Sequence, residues 1–201
     1  MPKKVDTEEK KLEIANKAIP VFSEKGYYNT NLKDIGKACN MGRTTLYQYF
    51  KNKDEIYFYI LELGMSFFRM TYDSIKNDES LKNIEKVEKL AEYLIVNLNG
   101  QTVSKAFIDF WLMVRHNNKD LEKQLSKLYQ ELESTFNDLL LKAVEKGEIK
   151  NIHSPTLSTL ILGMMQSFSV KDMINETVDS KSACQTIMML LDGIKKEESH
   201  E

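Results

Sequence analysis

Asn31-Leu32-Lys33-Asp34-Ile35-Gly36-Lys37-Ala38-Cys39, then Asn40-Met41-Gly42, then Arg43-Thr44-Thr45-Leu46-Tyr47-Gln48-Tyr49-Phe50 is the stretch whose reading decides the fold. Thr30 or Asn31 can cap a helix over about residues 32–39, because a side-chain oxygen there accepts a free backbone N–H. Asn40-Met41-Gly42 reads as a turn, and Asn tolerates the left-handed conformation that such a turn needs. A second short helix covers about residues 43–49. Leu46 and Phe50 are four apart and face a core together with Ile35 and Ala38. That leaves Arg43, Thr44, Thr45, Tyr47 and Gln48 on the opposite side.

Short helix, tight turn, short helix is the geometry of a helix-turn-helix reader. Its second helix enters a major groove about 12 Å wide, with early residues facing base edges. Arg43 has a fork suited to guanine, Gln48 can bond adenine, and Thr44 and Thr45 can pack a methyl group on thymine. Tyr47 and Tyr49 can donate to phosphates, though Tyr47 serves equally as a packing residue. Lys33, Lys51 and Lys53 supply charge toward a phosphate backbone, though Lys51 and Lys53 serve equally as solvated surface charges.

Working outward, a first helix over about residues 7–25 carries Leu12, Ile14, Ala15, Ala18, Ile19 and Phe22 as its apolar stripe. Pro20 interrupts it and Gly26 stops it. Downstream, Lys51-Asn52-Lys53 breaks the pattern before a long helix over about residues 54–75. Gly26-Tyr27-Tyr28-Asn29-Thr30-Asn31-Leu32-Lys33-Asp34-Ile35 and Cys39 to Glu55 together resemble the N-terminal domain of the TetR family. The shared pattern is a glycine-aromatic pair, two Thr, an Ile-Ala, a four-residue turn, and Leu-Tyr-x-x-Phe-x-x-Lys. Four positions depart from it: Asn31 for the second Thr, Gly36 for Ala, Asn40 for the turn glycine and Gly42 for serine. Gly36 is expected to loosen the second helix.

The resemblance implies an all-α chain, with a three-helix helix-turn-helix domain at 1–53 and a six-helix effector-binding and dimerisation domain at 54–201. It implies double-stranded operator DNA as partner, a small-molecule effector, and a homodimer. The DNA-contacting set on this reading is Asn31, Lys33, Arg43, Thr44, Thr45, Tyr47, Gln48, Tyr49 and Lys53.

Beyond residue 54, helical periodicity continues over about residues 81–98, 103–116, 121–145, 155–175 and 180–195. Met65, Phe68, Tyr72, Phe107, Phe110, Trp111 and Arg115 are candidates to line an effector pocket for an apolar or aromatic ligand; the same apolar residues can equally fill a core. Asp109 and His116 flank that stripe. The two last helices are apolar over wide arcs, and Leu160, Gly163, Met164, Ser167, Phe168, Ile187 and Leu191 are candidates for a dimer face built as an intermolecular four-helix bundle.

Charge divides along the chain. Residues 1–53 hold 11 Lys+Arg against 6 Asp+Glu, a net of +5, while the remainder holds 17 against 24, a net of −7. A basic head on an acidic body suits a protein that meets a polyanion at one end. The three His, at 116, 153 and 200, have no ligand spacing to one another or to Cys39 and Cys184, so no metal or cofactor is expected. Phosphate loops, nucleophile elbows and HExxH are lacking, so an enzyme is not expected. No apolar run approaches the roughly 20 residues of a membrane span, and the start lacks a signal-peptide pattern, so a cytoplasmic protein is expected.

Overall fold

A computed structural model of the chain describes residues 4–99, 110–116, 118–173 and 179–196. These residues form nine helical segments and no sheet; one isolated antiparallel bridge joins Ile149 and Lys195. The helices are α1 (Lys4–Asn29), α2 (Leu32–Ala38), α3 (Arg43–Leu46), α4 (Lys53–Ile75), α5 (Asn83–Asn99), α6 (110–116), α7 (Lys119–Glu145), α8 (Ser154–Met173) and α9 (Ser180–Asp192). The chain divides into two compact units. One takes the described parts of Met1–Met65 and Gln101–Leu125, the other those of Ser66–Gly100 and Ser126–Glu201. Two of the three boundaries fall within the long helices α4 and α7, and the third, between residues 100 and 101, lies outside the described residues.

In the first unit, α1 buries Ile14, Ala15, Ala18 and Phe22, one stripe at offsets of three and four. Leu12, expected in that stripe, is 40% exposed. Pro20 sits within the helix and faces solvent. It denies Asn16 an intrahelical donor, but Asn16 is exposed too, so water can replace the lost bond. The glycine stop is real: Gly26 adopts φ 72° and ψ 170°, and a further short helical stretch follows it. α2 packs on both α1 and α3. Phe22, Tyr27, Tyr57 and Phe110 form an aromatic cluster; Phe110 lies 5.1 Å from Tyr27 and 4.6 Å from Tyr57, ring centre to ring centre.

In the second unit, α5 packs on α8 and α9. Its stripe of Ile84, Val87, Leu90, Ala91, Leu94 and Ile95 is buried, as are Ile161, Leu162 and Met165 on α8 and Ala183, Ile187 and Leu191 on α9. Phe68 packs beside Tyr93 and Phe136. Arg69 on α4 and Glu131 on α7 form a two-pronged ion pair, with Nε to Oε1 at 2.5 Å and a terminal nitrogen to Oε2 at 2.6 Å. The buried Asn83 and the Ile84 backbone N–H both donate to Glu148, closing the start of α5 onto the turn after α7.

Candidate DNA-reading face and its base

The reader starts at a fully formed cap. Asn31 is extended at φ −128° and ψ 165°, and its Oδ1 accepts from the Lys33 and Asp34 backbone N–H groups at 3.0 and 3.1 Å. Asp34 returns the favour by accepting from the Asn31 N–H, a reciprocal capping box. The Lys25 ammonium, 2.6 Å from Asp34, and the Asn31 N–H hold this carboxyl below the usual carboxylate range. The Asn31 oxygen is thus engaged in the fold, leaving its amide nitrogen as the group it can offer to DNA.

α2 ends in a Schellman turn. The Met41 N–H donates to the Gly36 carbonyl at 2.8 Å and the Asn40 N–H to the Lys37 carbonyl at 3.1 Å. Asn40 takes φ 54°, the left-handed position that such a turn requires. A methyl group on Gly36 would stand 3.0 Å from the Met41 carbonyl oxygen. Gly36 therefore admits a close approach of the turn rather than loosening the helix. Cys39, at 4% exposure, takes the core position expected for Ala38, which is exposed.

α3 opens at Gly42, and single-turn hydrogen bonds carry the coil on to Phe50. Leu46 and Phe50 are buried at 0% and 4% exposure, beside buried Ile35. Arg43, Thr44, Thr45, Tyr47 and Gln48 are all exposed, and Tyr49 is half-buried. Arg43 donates to the Tyr47 hydroxyl at 3.0 Å, and its guanidinium lies 5.3 Å from that ring's centre. Tyr47 is therefore a surface residue that holds Arg43 over the face. Lys33 and Lys51 are exposed as well.

Lys53 departs from the expected pattern. Its ammonium turns inward and donates to the main-chain carbonyls of Tyr27, Tyr28 and Thr30 at 2.7, 3.2 and 2.9 Å. It also lies 4.4 Å from the centre of the Tyr27 ring. An ammonium has three N–H groups, and three carbonyls use them all. Burial lowers its pKa, partly offset by the neighbouring Asp54 carboxylate. Tyr27 in turn donates its hydroxyl to Asp54, and burial followed by that bond raises the phenol well above its ordinary pKa. Sequence spacing gave no sign of this, since the acceptors are backbone atoms 23 to 26 residues away.

The expected pocket residues fall in both units. Met65 and Phe110 belong to the first and are buried at 7% and 0% exposure; Trp111 is half-buried there and Arg115 exposed. Phe68 belongs to the second and is buried at 2%, with Tyr72 half-buried. Phe110 and Phe68 are enclosed by their ring neighbours, so each packs core in this conformation. Phe107 lies outside the described residues. Of the expected dimer residues, Leu160, Gly163 and Ser167 are exposed and Met164 is half-buried. Ile187 and Leu191 are instead buried within the single chain, while the α9 residues Met189 and Leu190 are exposed. The side chain of Phe168 lies outside what is described. An open, largely apolar groove of about 800 Å³ follows α5 and α9, lined by Val96, Cys184, Met188 and Met189 among others.

A small head that buries one side of a short third helix and exposes Arg, Thr, Thr and Gln on the other defines a helix-turn-helix DNA-binding regulator. The profile of the family described as bacterial regulatory proteins, tetR family, matches residues 14–60, which span this head. The chain is 27% identical over 190 residues to the biofilm operon icaADBC HTH-type negative transcriptional regulator IcaR of Staphylococcus epidermidis, covering 91% of this chain and 98% of that one. It is 28% identical over 134 residues to an HTH-type transcriptional regulator of Staphylococcus aureus, covering 67% and 69%. Among solved structures, the fold resembles FadR of Bacillus subtilis in complex with stearoyl-CoA, at TM-score 0.73 and 22% identity, covering 90% and 96%. It also resembles a TetR transcription regulator of Haloarcula marismortui, at TM-score 0.75 and 15% identity, covering 94% and 100%. Residues 14–60 thus carry the pattern of the TetR family, and the relatives similar to the chain are named as transcriptional regulators. Among the described residues, no helix is long and apolar enough to cross a membrane.

Proposed function

We propose that this protein is a repressor that binds a two-fold symmetric operator as a homodimer and is released by a small effector that is apolar or aromatic, or that carries an apolar group such as an acyl chain. One observation carries the DNA-binding part: Arg43, Thr44, Thr45, Tyr47 and Gln48 are exposed together above the buried pair Leu46 and Phe50. The functional head is residues 1–53, and 54–201 is the effector and dimer domain. Arg43, Thr44, Thr45 and Gln48 read bases; Asn31, Lys33, Tyr47 and Tyr49 hold the backbone. The repressor reading is supported by the similarity to a regulator named as negative, which extends over most of both chains. The place of action is the cytoplasm, where a bacterial operator lies.

The dimer reading rests on apolar side chains left uncovered on α8 and α9: Leu160 at 58%, Met189 at 73% and Leu190 at 55% exposure. Gly163 and Ser167 continue the α8 stripe with small side chains that admit a partner's backbone. Leu160→Glu should turn a concentration-independent dimer into monomer in sedimentation, while helical content stays. A monomer already present in the unsubstituted chain would remove this part.

The effector reading is supported by fold neighbours described in complex with stearoyl-CoA and with isovaleryl coenzyme A. Fluorescence anisotropy of the full chain on duplexes taken from its own upstream region tests the whole reading. Specific binding that falls on titration with long- or short-chain acyl-CoA supports it. Specific binding unmoved by any apolar ligand would leave a DNA-binding protein without this switch, and sequence-independent binding alone would remove the regulator reading.

A further inference from the structure

We propose that Lys53 is a positioning residue for DNA reading: by clasping three carbonyls at the end of the first helix, it closes the base of the reader and sets the pose of α3. The reader is an excursion between Thr30, just ahead of the Asn31 cap, and Lys53, the first residue of α4. Lys53 ties these two ends directly, at 2.9 Å to the Thr30 carbonyl. The other two acceptors, Tyr27 and Tyr28, close α1 beyond the Gly26 break, where carbonyls lack intrahelical donors and the helix end is electronegative.

α4 does not need this side chain for its own start. Asn52 accepts from the Glu55 N–H at 2.8 Å and Glu55 accepts from the Lys51 N–H at 2.8 Å, so local partners cap that end. The Lys53 cation serves the junction instead. Two further bonds brace it: Tyr27 to Asp54, and the Thr30 hydroxyl to the Gly26 carbonyl at 2.7 Å. Base contacts discriminate only when the helix is held in a defined register, whereas phosphate contacts tolerate small rotations. A reader with an open base should therefore lose sequence preference before it loses general DNA affinity.

The test uses the full chain, a duplex selected from a random-sequence library, and a scrambled duplex of equal length. Lys53→Met should raise the Kd for the selected duplex by about 10-fold or more while the scrambled duplex changes by less than about 2-fold. The salt dependence on the scrambled duplex should stay that of the unsubstituted chain. Equal losses on both duplexes with a salt slope smaller by about one would make Lys53 a phosphate contact and overturn the proposal. A lowered melting temperature with an unchanged specificity ratio, measured where the variant is fully folded, would make it structural only and also overturn it. Should Lys53→Met fail to fold, Lys53→Gln, which keeps two donors, reads the same ratio.

Discussion

The outer face of the reader and its base are a few residues apart in sequence, yet their side chains have opposite fates. On the face, Arg43, Thr44, Thr45 and Gln48 are exposed and retain capacity to meet a partner. At the base, Lys53, Tyr27 and Thr30 are committed to carbonyls and a carboxylate within the fold. Residue type alone does not separate the two groups, because Lys53 and Lys33 are the same residue in the same basic head. What separates them is whether the protein has already used the donors. A cation with three internal acceptors has little left for a phosphate, and a cation without them is free to release counterions on DNA.

The contrast can be tested from its strongest element downward. Leu46 holds the face on its core with no exposure, so Leu46→Ala should destabilise the head by about 2–5 kcal/mol, read by chemical denaturation, and abolish DNA binding with it. Unchanged stability would place Leu46 outside the core. Arg43→Ala should leave stability alone and weaken the selected duplex by about 1–3 kcal/mol, relaxing preference at one base per half-site. Lys33→Ala should instead weaken all duplexes alike and shrink the salt slope by about one, the behaviour that Lys53 should not show.

Smaller effects belong to the cap. Asn31→Ala should cost about 0.5–2 kcal/mol of stability through loss of two accepted N–H bonds. Asp34 is held low by Lys25 and by the Asn31 N–H, so its contribution is complete above the ordinary carboxylate pKa and is lost as pH falls through its own lower value. A carboxyl titration followed by NMR should find Asp34 protonating below ordinary aspartates, and Lys25→Ala should move that midpoint upward. A midpoint already at the ordinary value would mean that the pair is not formed in solution.

The reader was legible in the sequence because its determinants are local. Asn31 as cap, Asn40 as the left-handed residue, and Leu46 with Phe50 as the inward pair each follow from neighbours within a few positions. Ala38 and Cys39 were exchanged by one step, since a helix of seven residues ends in a turn that rotates its last side chains. The internal partners of Lys53 were not legible, because they are distant backbone carbonyls, which carry no residue identity. Ile187 and Leu191 were assigned outward and Met189 and Leu190 were not, because α9 is apolar over a wide arc and periodicity there cannot choose a side. Phe68 and Phe110 illustrate the same limit: an aromatic stripe looks alike whether it lines a cavity or fills one.

The central claim, that α3 reads DNA through its exposed side, is tested most directly by selecting duplexes from a random library with the full chain and repeating the selection with Arg43→Ala. The account predicts a two-fold symmetric preferred site from the first and the same site with one relaxed base in each half from the second. Enrichment of no sequence, or an identical site from both selections, would contradict it.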